Sequence, residues 1–235
     1  MTDEQQRRQE LACAFQWCAR LNLHEGVANH FSVAVGEAGR YFLMNPGGRH
    51  FSRIAADDLL LLDSQATTAH AEVDATAWCL HGYLHRHLPQ ARCLLHTHMP
   101  YATACASLDN WQLLPIDQNA CRFYNRIAYD DTFGGMLLAE EEAARQCTLL
   151  GAHKVLVMRS HGVLIAAATV AEAFDLMYYF EHTCRNQWLA LASGKPLRIL
   201  PAAIAEKTAQ QWQDYPHHHH FEQLQAILAE EQTSI

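Results

Sequence analysis

Apolar side chains recur along this chain at two spacings, and the switches between them mark its elements. From residue 3 to residue 22, Leu11, Phe15, Cys18 and Leu21/Leu23 return at helical spacing, with Asp3 as the expected cap. "NHFSVAV" (29–35) and "RYFLMNPGG" (40–48) alternate as strands, the second ended by the turn Asn45-Pro46-Gly47-Gly48. "DDLLLLD" (57–63) predicts a short buried strand. Residues 74–88 are helical again, with Ala77, His81, Leu84 and Leu88 on one stripe and Pro89 as the stop.

"RCLLHTH" (92–98) predicts a strand, after which Pro100 suits the first position of a helix running to Leu108. The mixed stretch 113–135 predicts loop and short strand. A helix is expected over Met136–Leu150 with Gly151 just past its end, then strands "HKVLVMR" and "GVLIAAA" about a Ser160-His161-Gly162 turn. Thr169 and Glu172 form a capping box that opens a long helix ending near Ser193-Gly194. The tail after Pro201, about 201–235, is expected to be helical and polar. Strands and helices alternate without a repeat or low-complexity linker, which predicts a single α/β domain over 1–235.

Composition narrows the function. Half of the 235 residues are hydrophobic, enough for a sizeable core, and the formal net charge of −8 offers no field for nucleic acid or an anionic membrane. The amino terminus lacks the apolar stretch and cleavage site of a secretory signal, and no run is long enough to span a bilayer. A cytoplasmic protein is expected. Eight scattered cysteines, none in a Cys-x-x-Cys pair, are expected to be reduced core residues.

Sixteen histidines make one His-x-His pair expected by chance, roughly, so spacing alone does not make His96 and His98 a metal clip. Their placement adds weight. A strand turns alternate side chains to one face, so the two rings stand together where strand meets helix. Catalytic zinc sites take three protein ligands and keep one position open, and His161, in its Gly-containing turn, is the best third. His81 and His85, at i and i+4 on one helix, are a rival pair. No Glu follows His81 as a helical zinc-protease motif requires, and Pro89 closes the helix at once. The run His217–His220 reads as a solvated or interface-facing segment.

Four stretches resemble the class II aldolase/adducin family: "EGVANHFSV" (25–33), "FLMNPGGRHFSRIAADDLLLLD" (42–63), "ATAWCLHGYLHRHLPQARCLLHTHMPYATA" (75–104) and "SHGVLIA" (160–166). The resemblance spans nearly the whole chain. It implies a three-layer αβα sandwich, assembly as a homotetramer with sites near subunit contacts, and a divalent metal on His96, His98 and His161. Zinc is the metal it favours, with iron or manganese as alternatives. The family's sugar-phosphate aldolases use a Glu as acid/base where this chain has Ala77. They grip phosphate with hydroxyl-bearing stretches where this chain has Val27-Ala28-Asn29-His30 and Pro46-Gly47-Gly48. Those departures point away from a phosphorylated substrate.

The chemistry expected is that of a metal-dependent lyase, cleaving or decarboxylating a small unphosphorylated hydroxy or oxo acid through a metal-stabilised enediolate. Proton carriers are sought among Asp117, Tyr124, Tyr129, Asp130 and His30, and substrate contacts among Asn29, Gly47, Gly48 and Thr76. Two alternatives stand beside it: a non-haem Fe(II) oxygenase, since three imidazoles also hold iron, and a non-catalytic adducin-like interaction module.

Overall fold

The structure, a computed structural model, describes residues 1–36, 39–216 and 218–233. Helix α1 (Asp3–Arg20) leads into strands β1 (His30–Val35), β2 (Tyr41–Met44) and β3 (Leu60–Asp63). Helix α2 (Ala75–His87), β4 (Cys93–Thr97), α3 (Pro100–Ala106) and β5 (Ile127–Asp130) follow. The chain continues through α4 (Glu140–Leu150), β6 (Val155–Met158), β7 (Gly162–Ala167) and α5 (Val170–Ala192), and ends in α6 (Ala202–Gln213) and α7 (His218–Thr233).

The strands form one sheet in the order β3-β2-β1-β4-β7-β6-β5, antiparallel at every pairing except β5 with β6. Alternation along each strand divides the core. Phe31, Val33, Cys93, Leu95, Val163 and Ile165 face one side, where they pack with Phe15, Phe174, Phe180 and Phe221. Leu94, Leu156, Leu164 and Ala166 face the other, against Leu80 and Leu84 of α2 and Leu150 of α4. Helices on both faces make the three-layer αβα sandwich. Phe15, Phe31 and Phe51 meet at centroid distances of 4.6–4.9 Å, and burying each ring contributes on the order of 2–3 kcal/mol.

Several local expectations change. The cap of α1 is Thr2, in a reciprocal box with Gln5, while Asp3 instead accepts from the Gly36 N–H. Only Leu62 of β3 is buried, because this strand lies at the sheet edge. Helix α4 starts at Glu140, four residues later than its apolar pattern suggests. Thr169 caps α5 by accepting from the Glu172 N–H, but Glu172 turns its carboxylate to the Ala168 N–H and to Lys154, so the box closes on one side only. The polar tail is tied down: Phe221, Leu224 and Leu228 of α7 join the main core. His217 lies outside the described residues.

Candidate metal centre and active-site cavity

His96, the penultimate residue of β4, faces α2, and two residues later His98 emerges on the same side. The turn behind them is held from below. Pro100 opens α3, and the buried Glu181 of α5 accepts from the Tyr101 and Ala102 N–H groups at 2.8 Å each. His161 arrives from the β6–β7 hairpin, where Ser160 takes a left-handed φ of 55° and the His161 N–H donates to the Met158 carbonyl. The ligand nitrogens of all three rings lie within 4.8 Å of one another.

Their hydrogen bonds decide what these nitrogens can do. His96 Nδ1 stands 3.0 Å from the Val163 carbonyl, which can only accept, so Nδ1 carries the proton and Nε2 a bare lone pair. His98 Nδ1 donates to the Glu25 carboxylate at 2.6 Å and is fixed in the same tautomer. The two Nε2 atoms are 3.1 Å apart. Two lone pairs aimed at one point repel; a shared cation removes the conflict. Tetrahedral zinc bonds of about 2.0–2.1 Å would place two such nitrogens roughly 3.3 Å apart, so the donor set fits the ion. Burial, reinforced by the neighbouring imidazoles, pushes His96 well below the ordinary imidazole value, and burial, with His98 close by, pushes His161 down to about 4. Neutral imidazole is the form that ligates.

A cavity of about 430 Å³ opens onto the three rings. His30, paired with His96 across β1 and β4, lines it with its ring 4.6 Å from that of His96. Asn29 also lines it; its Oδ1 accepts from the Glu25 N–H at 2.6 Å, while its buried Nδ2 has no partner. Thr76, Ala77 and Gly47 complete that wall. The methyl group of Ala77 stands in the first turn of α2, beside the Asp74 carboxylate, whose Oδ1 is taken up capping the helix. Gly47 lies close under α2, and its N–H is spent on the Glu72 carbonyl at 2.8 Å. Opposite lie Phe133, Met136 and Leu137, with Gln146 of α4 and its unpartnered Oε1. No lysine or arginine is among the described lining residues.

The remaining sequence candidates stand elsewhere within the chain. Asp117 caps the Ala120 N–H and accepts from Asn186, on a different surface pocket. The Tyr129 hydroxyl accepts from the Leu113 N–H at 3.0 Å, and burial raises it to about 12. Asp130 is buried against Arg145. Tyr124 and Gly48 do not line the cavity. Sequence reasoning had not singled out Glu25 or Gln146. Glu25 had a signal, its place in the loop that also carries Asn29 and His30, whereas Gln146 had none. A second group, His218, His219 and Glu222, brings ligand atoms equally near, but all three residues are exposed.

Comparison with known proteins agrees with this architecture. Residues 9–188 match the class II Aldolase and Adducin N-terminal domain. The chain is 30% identical to a protein named decarboxylase NovR from Streptomyces niveus, over 85% of this chain and 75% of that one. It is 29% identical to a 4-hydroxy-3-prenylphenylpyruvate oxygenase/4-hydroxy-3-prenylbenzoate synthase from Streptomyces roseochromogenus, over 85% and 73%. Human beta-adducin is 32% identical over 76% of this chain, which spans only 25% of the adducin. Among solved structures, an aldolase II superfamily protein from Pseudomonas syringae superposes with a TM-score of 0.89 at 26% identity, covering 98% of this chain and 95% of that one. The chain belongs to the class II aldolase/adducin family.

Proposed function

We propose that the chain is a metal-dependent lyase that cleaves or decarboxylates a small, unphosphorylated hydroxy or oxo acid. The observation that carries this is the pair of imidazole Nε2 atoms 3.1 Å apart, with His161 beside them, in a cavity whose described wall holds no cationic side chain. Such a wall offers a phosphate no cationic side chain. His96, His98 and His161 would hold a divalent cation, zinc in our reading, which supplies Lewis-acid polarisation of a carbonyl oxygen as the bond to the adjacent carbon breaks.

The chain's own residues supply the rest. Asn29 has a free N–H donor for an oxygen that gains charge. His30 is the lining imidazole outside the triad, and we assign to its Nε2 the proton transfer that Ala77 cannot perform. Phe133, Met136 and Leu137 favour a substrate with an apolar substituent. The names of the relatives, a decarboxylase and an enzyme of a phenylpyruvate, support an oxo acid. The test is turnover of a panel of 2-oxo and 2-hydroxy acids, with and without phosphate groups, by zinc-loaded protein. Cleavage of an unphosphorylated acid, lost in His96→Ala and slowed at least a hundredfold in His30→Gln, is expected; preference for the phosphorylated members would overturn the reading.

The oxygenase name favours a second reading, a non-haem Fe(II) oxygenase on the same three imidazoles. Metal analysis after anaerobic purification, with oxygen uptake on the same acids, separates the two. A purely adducin-like binding role has no use for three converging imidazoles. Our reading includes a cytoplasmic location, supported by eight free cysteines, and a homotetramer, supported by the exposed apolar residues Phe133 and Met136 at the cavity and Leu138 just beyond them in the chain. Among the described residues no helix is long and apolar enough to cross a membrane. Light scattering tests the assembly.

A further inference from the structure

His30 is one end of a hydrogen-bonded chain that runs from the cavity into the space between β1 and α2. Its Nδ1 is 2.7 Å from His81 Nε2. His81 Nδ1 is 2.6 Å from Ser32 Oγ, and the same hydroxyl is 2.8 Å from His85 Nε2. His30 and Ser32 share a face of β1, and His81 and His85 are one turn apart on α2, so two regular elements hold the four groups in line. His81 and Ser32 are wholly buried, while His85 keeps 5% of its surface exposed.

The rings all point the same way. In each step an Nδ1 faces the Nε2 of the next ring, directly or through the hydroxyl. With the rings neutral, only two arrangements also use the buried Ser32 proton: all three rings protonated on Nδ1, or all three on Nε2; a mixed set in which Ser32 accepts from both rings would leave its own O–H without a partner. Interconverting them moves one proton from end to end. Burial keeps His81 and His85 uncharged, which is the state this exchange needs.

We propose that His81, Ser32 and His85 form a proton relay that serves His30. This rests on the lyase reading of the cavity. A proton taken from substrate by His30 Nε2 has a way out through the opposite ring nitrogen, since His30 Nδ1 stands 2.7 Å from His81 Nε2. As His30 Nε2 gains the proton, Nδ1–H goes to His81 Nε2, His81 Nδ1–H to Ser32 Oγ, the Ser32 proton to His85 Nε2, and His85 Nδ1–H to water. Each group gains one proton and loses one. The reverse passage returns a proton to the product and restores the starting tautomers. The plainer role, a static network that seats α2 on the sheet, requires neither the shared sense nor the exchange.

The test uses zinc-loaded full-length protein labelled with 15N-histidine. Two-bond 15N–1H couplings are expected to show one tautomer common to His30, His81 and His85, with a single exchange rate for the three. In Ser32→Ala the rates separate, and Ser32→Thr rejoins them. On an oxo-acid substrate, Ser32→Ala is expected to lower kcat at least tenfold with KM within twofold and to lose the multi-proton solvent isotope effect, with zinc content unchanged. Ser32→Thr restores both. Mixed tautomers, independent exchange rates, or wild-type kcat in Ser32→Ala would overturn the relay. Common tautomers with a common rate but no turnover of any acid would overturn the lyase reading and leave the proton path standing.

Discussion

Gly162 opens β7 directly beneath His98, and replacing it with alanine tests how tightly the metal ligands are placed. A Cβ there would lie 2.7 Å from His98 Cδ2 and 2.8 Å from the Thr97 carbonyl oxygen. Comfortable carbon contacts need about 3.5 Å or more, so the ring would have to retreat by roughly 0.8 Å. Neither neighbour can yield easily. Thr97 is locked in the β4–β7 ladder opposite Val163, its hydroxyl donates to the Leu23 carbonyl, and the His98 ring is tethered through Nδ1 to Glu25. The expected result is a loss of about 1–3 kcal/mol in stability from overpacking and a 10–100-fold loss in zinc affinity, approximately, from the displaced ligand. Affinity is read by competition with a chromophoric chelator, and stability by urea unfolding of the zinc-free protein. Gly134→Ala is the control: nothing lies within 4 Å of its added Cβ, and both quantities should stay within about 0.5 kcal/mol of wild type. Wild-type zinc affinity in Gly162→Ala would refute the claim that this backbone approach sets the His98 position.

Glu25→Gln keeps the shape at His98 but weakens the charge-assisted bond to Nδ1; zinc affinity should fall about 10-fold or more in the same competition assay, and an unchanged value would remove Glu25 from the site. Acid should destabilise the zinc-free protein through its buried rings. His85 titrates near 3 in the folded chain, whereas an unfolded imidazole titrates near 6.5, so below that pH the unfolded state binds a proton the native state refuses. Stability is therefore present above pH 6.5 and lost as pH falls toward 3, by about 1.4 kcal/mol from His85 alone at pH 5.5, with His81 and His96 acting in the same direction. Urea midpoints that stay flat from pH 7.5 to 5.5 would contradict this. Tyr129→Phe should lower stability by about 1 kcal/mol, through the lost bond from the Leu113 N–H, and leave oxo-acid turnover unchanged; a large fall in kcat would return Tyr129 to the catalytic set.

Local periodicity carried much of this protein. Alternation in "RCLLHTH" places His96 and His98 on one face whatever surrounds them, because a strand has a period of two. Pro100, Asp74 and Thr169 mark helix starts through chemistry that acts within a turn, and each lies at the start of its helix. What lay beyond sequence is what depends on partners distant along the chain. "DDLLLLD" cannot report that its strand is an edge, since strand order is settled by the whole sheet. The late start of α4 leaves Met136 and Leu137 to line the cavity, and the same apolar spacing would have served a helix. His81 and His85 look like a metal clip or two core residues by spacing alone. Only the packing of α2 over Ser32 turns them into a hydrogen-bonded series leading to His30. Asp117 and Tyr129 have the right chemistry for proton transfer, but their polar atoms are engaged by backbone amides away from the cavity. Sequence alone determined which groups could act, because side-chain chemistry and strand or helix period are local. Tertiary structure decided which of them meet, because sheet order and helix docking bring together residues 65 positions apart, from His96 to His161.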